Sequence, residues 1–194
     1  NIKKINIIVG YNKKKIYEKL KKKKINFIEN NFYSSRDMLY SLKLALKSQR
    51  ENMIVVYSDI IFSNKIFKKI KLSKNLKNIN LPVLKNWENI WLKRKKNIFE
   101  DCETLVYDEK LNLLEIGKKT KNKKKIMAQY MGIVYIPILR KDFLLEEISK
   151  IKNKKMHITS FLDLICKKEK IKIQPILDKT WFEFDDKNDL DYYA

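Results

Sequence analysis

The sequence predicts an α/β fold with parallel strand pairing, on three observations. Residues 3–29 run strand, helix, strand: KKINIIV over 3–9, an amphipathic stretch over 12–24, and a short strand over 26–29. That rhythm favours parallel pairing through a right-handed crossover. Met53–Val56 (MIVV) is a short, wholly apolar run of the kind that marks a strand buried on both faces. The chain holds 3 glycines in 194 residues, at 10, 117 and 132, and each closes or interrupts a predicted strand. Glycine used so sparingly points to a backbone requirement at each place.

The elements follow in order. The helix over 12–24 offers one narrow stripe, Ile16, Tyr17 and Leu20. A polar loop over 30–35 leads to a helix capped by Ser35 or Asp37 and running to Lys47, with Leu39, Leu42, Ala45 and Leu46 facing inward. The 53–56 strand, read as central, delivers Tyr57, Ser58 and Asp59 at its carboxyl end, where open α/β sheets place ligand chemistry. Asp59 suits either a turn cap or a divalent cation that holds phosphates. Ser63 is placed to cap a helix over 64–72. Ile79–Leu84 is a further apolar strand, and Pro82 suggests an edge or irregular position for it.

Trp87, Ile90 and Trp91 share a helical face, for which core packing and a pocket wall are both open readings. Residues 103–107 and 111–116 flank DEKLN, a hairpin signal. Residues 128–136 read as one strand, 139–151 and 158–168 as helices, and 171–177 and 181–184 as late strands. The second of those helices is capped near His157 or Thr159. Asp185 opens a final helix, DDKNDLDYYA. His157 is the lone histidine, sits in a loop and has no partner in sequence, so no general base is assigned to it.

Composition narrows the function classes. The length suits one domain, 1–194, and 44% hydrophobic residues suffice for a core. No stretch approaches the roughly 20 apolar residues of a membrane span, and no signal peptide pattern opens the chain, so a cytoplasmic protein is expected. Cys102 and Cys166 are too few and too far apart for a disulfide framework or zinc site. The net charge of +21 invites a nucleic-acid reading, but of 44 lysines and arginines only four are arginine, the usual reader of bases and phosphate forks. Lysine with asparagine and isoleucine is the signature of an A/T-rich coding sequence. Lysine runs such as 21–24 and 123–125 are read as solvated surface, with no nucleic-acid partner.

With these segments placed, the chain resembles the nucleotidyltransferases of the phosphocholine cytidylyltransferase and sugar-phosphate type. The likeness rests on IVVYSDIIF at 54–62, DMLYSLKLA at 37–45, DCETL at 101–105, LLEIGKK at 113–119, QYMGIVY at 129–135 and WFEFDDKNDL at 181–190, in the family's order. The resemblance implies a mixed, mainly parallel Rossmann-like sheet with helices on both faces. It further implies in-line attack by a phosphate or phosphonate oxygen on the α-phosphate of a nucleoside triphosphate, with pyrophosphate leaving, and Mg2+ as cofactor.

By this resemblance Asp59 and Asp185 match the family's two metal aspartates. Glu183, two residues before Asp185 on an extended segment, would orient the metal's water shell. Lys119 matches a lysine that meets the acceptor's phosphate, although Thr120 stands where relatives often have proline. Arg36, Asp37 and Ser41 lie where relatives hold base and ribose. Trp87 or Trp91, with Tyr130, would wall a cationic amine, and Glu103 would pair with it.

The expected reaction is therefore CMP transfer from CTP to a small phosphorylated amine such as phosphocholine or aminoethylphosphonate. A sugar-1-phosphate nucleotidyltransferase and a non-catalytic nucleotide-binding or interaction domain are the alternatives. The likeness begins at the family's second strand, so the chain is expected to be N-terminally truncated, without the first strand and its glycine-rich loop.

Overall fold

Alternation at period two decides how this protein layers itself. The computed structural model describes residues 2, 4–21, 23–71, 77–94 and 98–193. The expected strand start at Lys3, helix end at Leu72, and residues Lys22 and Ala194 lie outside them. β1 (Ile5–Val9), α1 (Lys13–Leu20) and β2 (Ile25–Glu29) form the expected crossover, with β1 and β2 parallel from Ile5 against Ile25 to Val9 against Glu29. The pair forms a sheet of its own. Next come α2 (Met38–Ser48), β3 (Met53–Val56), β4 (Ile60–Ile61), α3 (Asn64–Lys71), β5 (Ile79–Leu84) and α4 (Trp87–Arg94). The hairpin β6 (Glu103–Tyr107) and β7 (Leu113–Lys119) precedes β8 (Gln129–Tyr130), β9 (Ile133–Ile136), α5 (Lys141–Ser149) and α6 (Ile158–Ile165). The chain closes with β10 (Ile171–Ile176), β11 (Phe182–Glu183) and α7 (Lys187–Tyr193).

The main sheet has the order β10-β5-β9-β3, with β8 against the end of β5. β10 runs parallel to β5, while β9 is antiparallel to both β5 and β3. Three strands (β10, β5 and β3) thus point one way, with β9 and the short β8 against them, which makes the sheet mixed. Ile79, Leu81, Val83, Val134, Ile136, Ile171 and Ile173 face α2, α5 and α6 in one core. Their alternates Leu84, Ile133, Tyr135 and Ile176 face α3, α4 and the tryptophans in a second. Two buried faces explain why these strands are apolar almost throughout. Glu147 lies at the edge of the first core and is held by Lys150 at 2.7 Å and Lys168 at 2.6 Å.

Three expectations change. β3 is not central: among the described residues its only strand partner is the antiparallel β9, and Val56 is exposed. β5 takes the centre instead, buried at all six positions despite Pro82. Pro82 falls where the ladder on that side passes from Asn80 opposite β9 to Val83 opposite β8, so its missing N–H breaks no rung there. The single strand expected over 128–136 is split into β8 and β9 by Gly132, whose φ is +69°. Ser63 directly precedes α3, its carbonyl accepting from Ile66 N at 3.0 Å, and its hydroxyl also donates to Asp178 Oδ2 at 3.3 Å, a tie to the segment after β10.

Gly132 is required twice over. Its carbonyl accepts the Tyr57 amide at 2.9 Å, and a Cβ there would sit 3.2 Å from the Tyr57 side chain. Left-handed backbone also penalises any other residue. Gly132→Ala should lower stability by about 1–3 kcal/mol in urea unfolding. An unchanged midpoint would show that the turn relaxes without strain.

Candidate active site

The site begins where β3 stops. After Val56 the chain turns through Tyr57, Ser58 and the exposed Asp59 into β4, a strand of two residues. β4 pairs antiparallel with β11, Ile61 against Phe182 and Ile60 against Glu183. The ladder continues one step further, as Phe184 N donates to Asp59 O at 2.9 Å. Asp59 therefore lies opposite Phe184, with Asp185 the next residue along. The backbone thus sets two aspartates from distant parts of the chain one register step apart.

Tyr57 reports the charge gathered there. Burial pushes its phenol far above the ordinary value, and Glu183, Glu103 and Asp59 add to the effect. Three carboxylates from separate elements thus bear on one hydroxyl. Tyr130, from β8, meets Tyr57 edge-to-face with ring centroids 5.7 Å apart. Its phenol is also held well above its usual range, chiefly by burial. Both tyrosines stay neutral near pH 7 and remain hydrogen-bond donors.

Glu103 connects this corner to a second group. It opens β6 opposite Lys119 in β7, and its carbonyl accepts from Gln129 Nε2 at 3.0 Å. Burial raises its carboxyl pKa, opposed by the positive charge of Lys119, by His157 and by a hydrogen bond from Thr159. The hairpin lies hard against α6: a Cβ on Gly117, at φ +83°, would come 2.8 Å from Thr159 Cβ. His157, at the N-cap of α6, has Nδ1 3.6 Å from Asp37 Oδ2, and Asp37 N donates to Lys154 O at 3.2 Å. A loop carrying Asp37 is thereby docked beside the Glu103–Lys119 pair.

The remaining expected residues have definite places. Asp37 is the N-cap of α2, its Oδ1 accepting from Met38 N at 2.6 Å. The Arg36 guanidinium lies over the rings of Tyr40 at 4.9 Å and Phe32 at 5.6 Å. Ser41 Oγ receives the amide of the buried Asn30 at 3.2 Å, a contact that shapes the loop. Asp185 and Lys119 are exposed, and Glu183 is partly buried. Trp87 and Trp91 are the correction: at 2% and 3% exposure both are core residues and form no wall of the cleft. The reason is a third tryptophan. Trp181 stacks on Trp91 at 5.7 Å with 3° between planes, and Trp87 meets Trp91 edge-on at 6.2 Å.

Sequence reading passed over Tyr57, His157 and Thr159. The first stood in the quoted motif beside Asp59, whereas the other two needed the hairpin-to-α6 contact to become visible. A depression of about 260 Å3 lies on the other side of that contact, lined by Gly117, Lys118, Ser160 and Asp163. Its one lining cation, Lys118, is paired with Glu115 at 2.9 Å and Asp163 at 3.4 Å.

No family model matches the chain. A curated relative, the CTP:phosphoglutamine cytidylyltransferase of Campylobacter jejuni, is 28% identical over 185 residues, covering 86% of this chain and 70% of that protein. The chain is similar to nucleotidyltransferases of the cytidylyltransferase type. Solved structures agree on the fold. The CTP:phosphocholine cytidylyltransferase of Streptococcus pneumoniae superposes with a TM-score of 0.71 at 17% identity, over 100% of this chain and 78% of that one. The inositol-1-phosphate CTP transferase of T. maritima gives 0.74 at 16% identity, over 99% and 75%. The chain thus shares the fold of these proteins, and among its described residues no helix is long and apolar enough to cross a membrane.

The burial of Glu103 has a measurable sign. Its folded pKa lies above the unfolded one, so the native state binds the extra proton between the two values. Stability from this site is present below the unfolded pKa, about 4.3 for glutamate, and falls as pH rises through the folded pKa. Glu103→Gln should therefore raise the Tm near pH 7 relative to wild type, with the gain vanishing toward about pH 4. Equal Tm values at both pH values would mean the carboxylate is well solvated.

Proposed function

We propose that this nucleotidyltransferase moves CMP from CTP onto a small phosphorylated acceptor. An acceptor phosphate oxygen forms the new bond to the α-phosphorus as the α–β bridge breaks, and pyrophosphate departs. The observation that carries the reading is the β4–β11 ladder, which sets Asp59 one register step from Asp185. The relative's CTP-dependent activity supports the choice of nucleotide.

A divalent cation, Mg2+ in this reading, fits the residues present. Asp59 and Asp185 share a corner, and Glu183 and Asp59 both raise the Tyr57 phenol. Among the described residues no three acidic, histidine or cysteine side chains form a ready metal cage. Two carboxylates plus phosphate oxygens and waters are the usual provision for magnesium, which dehydrates reluctantly. When bound, the ion neutralises charge on the triphosphate. Asp59 and Asp185 would hold it, Glu183 would accept from its waters, and Lys119 would hold the acceptor phosphate as a mobile point charge. Tyr57, held neutral, has a hydroxyl proton to offer to an oxygen atom in the cleft, while the buried Tyr130 hydroxyl lies against it.

For the acceptor we favour a small phosphorylated amine, because Glu103 stands beside Lys119 with Tyr130 nearby. The acceptor named for the relative, phosphoglutamine, also carries an amino group. A second reading has its own observation: with Trp87 and Trp91 in the core, the aromatic cage for a quaternary ammonium is reduced. A sugar or polyol phosphate then competes on equal terms with phosphocholine.

The test supplies CTP, Mg2+ and a panel of phosphoglutamine, phosphocholine, aminoethylphosphonate and sugar-1-phosphates, and follows pyrophosphate release. Turnover is expected with the amines, and Asp59→Asn or Asp185→Asn should each lower it by about 10²–10³ with the fold intact by circular dichroism. Turnover confined to sugar-1-phosphates would overturn the amine reading. Full activity of Asp59→Asn would overturn the mechanism.

A further inference from the structure

Asp185 sits just before α7, at the end of a chain segment that has left its ladder, and an exposed residue there needs a reason to stay put. The segment supplies one. Phe184 N is fixed by Asp59 O at 2.9 Å, and the next amide, Asp185 N, donates to Asp189 Oδ2 at 2.8 Å. The same Oδ2 accepts from Asp186 N at 3.2 Å, while Asp186 Oδ1 receives Asp189 N at 3.2 Å. This is a reciprocal capping box on α7, with Asp186 at the N-cap and Asp189 three residues on. It has one addition. The Asp189 carboxylate reaches a residue further back than the box requires and takes the Asp185 amide as well.

Asp189 is only 3% exposed, although the site that it serves faces solvent. A carboxylate removed from water needs strong donors, and two backbone amides on one oxygen supply them. Its burial also fixes its rotamer, so the amide that it holds is fixed too. We infer that Asp189 is a positioning residue: by anchoring the Asp185 amide it holds the Asp185 carboxylate in register with Asp59 for a divalent cation. It touches neither cation nor substrate. This inference rests on the metal reading above and adds to it a residue outside the coordinating set. Partners of this kind affect metal affinity by about 10–100-fold when removed.

The test uses the full chain, with Mn2+ titrated in the presence of CTP and free Mn2+ followed by electron paramagnetic resonance. Asp189→Ala should weaken Mn2+ binding by about tenfold. Asp189→Asn, whose side-chain oxygen still accepts both amides, should restore the affinity to within about threefold of wild type, since the hydrogen bond and not the charge does the positioning. Asp189→Leu fills the same volume without an acceptor and serves where the alanine variant does not fold. Asp186→Ala removes the other half of the box without touching the Asp185 amide. It should lower the Tm with a smaller effect on Mn2+ than Asp189→Ala.

Equal losses of Mn2+ affinity in Asp186→Ala and Asp189→Ala would show that helix capping alone matters and would overturn the proposal. So would wild-type affinity in both Asp189→Ala and Asp189→Leu while Asp185→Asn loses binding. If Asp185→Asn itself binds Mn2+ like wild type, the metal reading falls, and the positioning role with it.

Discussion

The site depends on a ladder two residues long. β4 and β11 exchange their bonds over Ile60–Ile61 and Phe182–Glu183, and one further bond from Phe184 N to Asp59 O carries the pairing to the aspartate. Backbone hydrogen bonds of this kind are worth only about 0.5–1.5 kcal/mol each in net terms. The packing behind them decides. Ile60 and Phe182 are buried, and Trp181, immediately before β11, is 1% exposed, stacked on Trp91 and bonded through Nε1 to Met131 O at 3.0 Å. Losing a tryptophan so buried costs about 3–5 kcal/mol, at least comparable to what the short ladder itself supplies. The aromatic cluster thus works from behind the site, as the wall against which β11 is clamped.

That arrangement shows which features were legible in the sequence. The β1–α1–β2 crossover, the 103–119 hairpin and the alternation of the sheet strands came through, because each is written in local periodicity or turn chemistry. Asp59 and Asp185 were legible as candidates because each follows a predicted strand, and the ordered motifs strengthened the pair. Their convergence was expected from the carboxyl ends of parallel strands, whereas the pairing that sets them one register step apart is the antiparallel β4–β11 ladder, and a two-residue strand such as β4 has no period to detect. Trp87 and Trp91 had a helical spacing that fits a core face and a pocket wall equally well. Only Trp181, far along the chain, decided between them. Pro82 misled for a related reason: an interrupted ladder on one side of β5 tolerates it, and the interruption is a property of β8 and β9.

Electrostatics gives the site a character opposed to the protein's surface. The chain carries a net charge of +21, yet Asp59, Glu183 and Glu103 all act on Tyr57, and Asp185 lies one register step from Asp59. Lysine is present at the margin as Lys119, opposite Glu103. A negative corner with a cation at its edge suits a reaction in which phosphates approach through a bridging divalent ion. The surrounding positive field would also draw an anionic nucleotide toward the protein. Tyr57 and Tyr130 contribute because burial keeps their protons on. The hairpin's contact with α6 at Thr159 explains why Gly117 admits no side chain.

The central claim is that Asp59 and Asp185 share one divalent cation. Anomalous diffraction from crystals grown with CTP and Mn2+ tests it most directly. The account predicts one manganese peak with carboxylate oxygens of both aspartates at about 2.1–2.2 Å and nucleotide phosphate oxygens completing its shell. A peak bound elsewhere, or carboxylates more than about 8 Å apart and therefore unable to share a ligand shell, would contradict it.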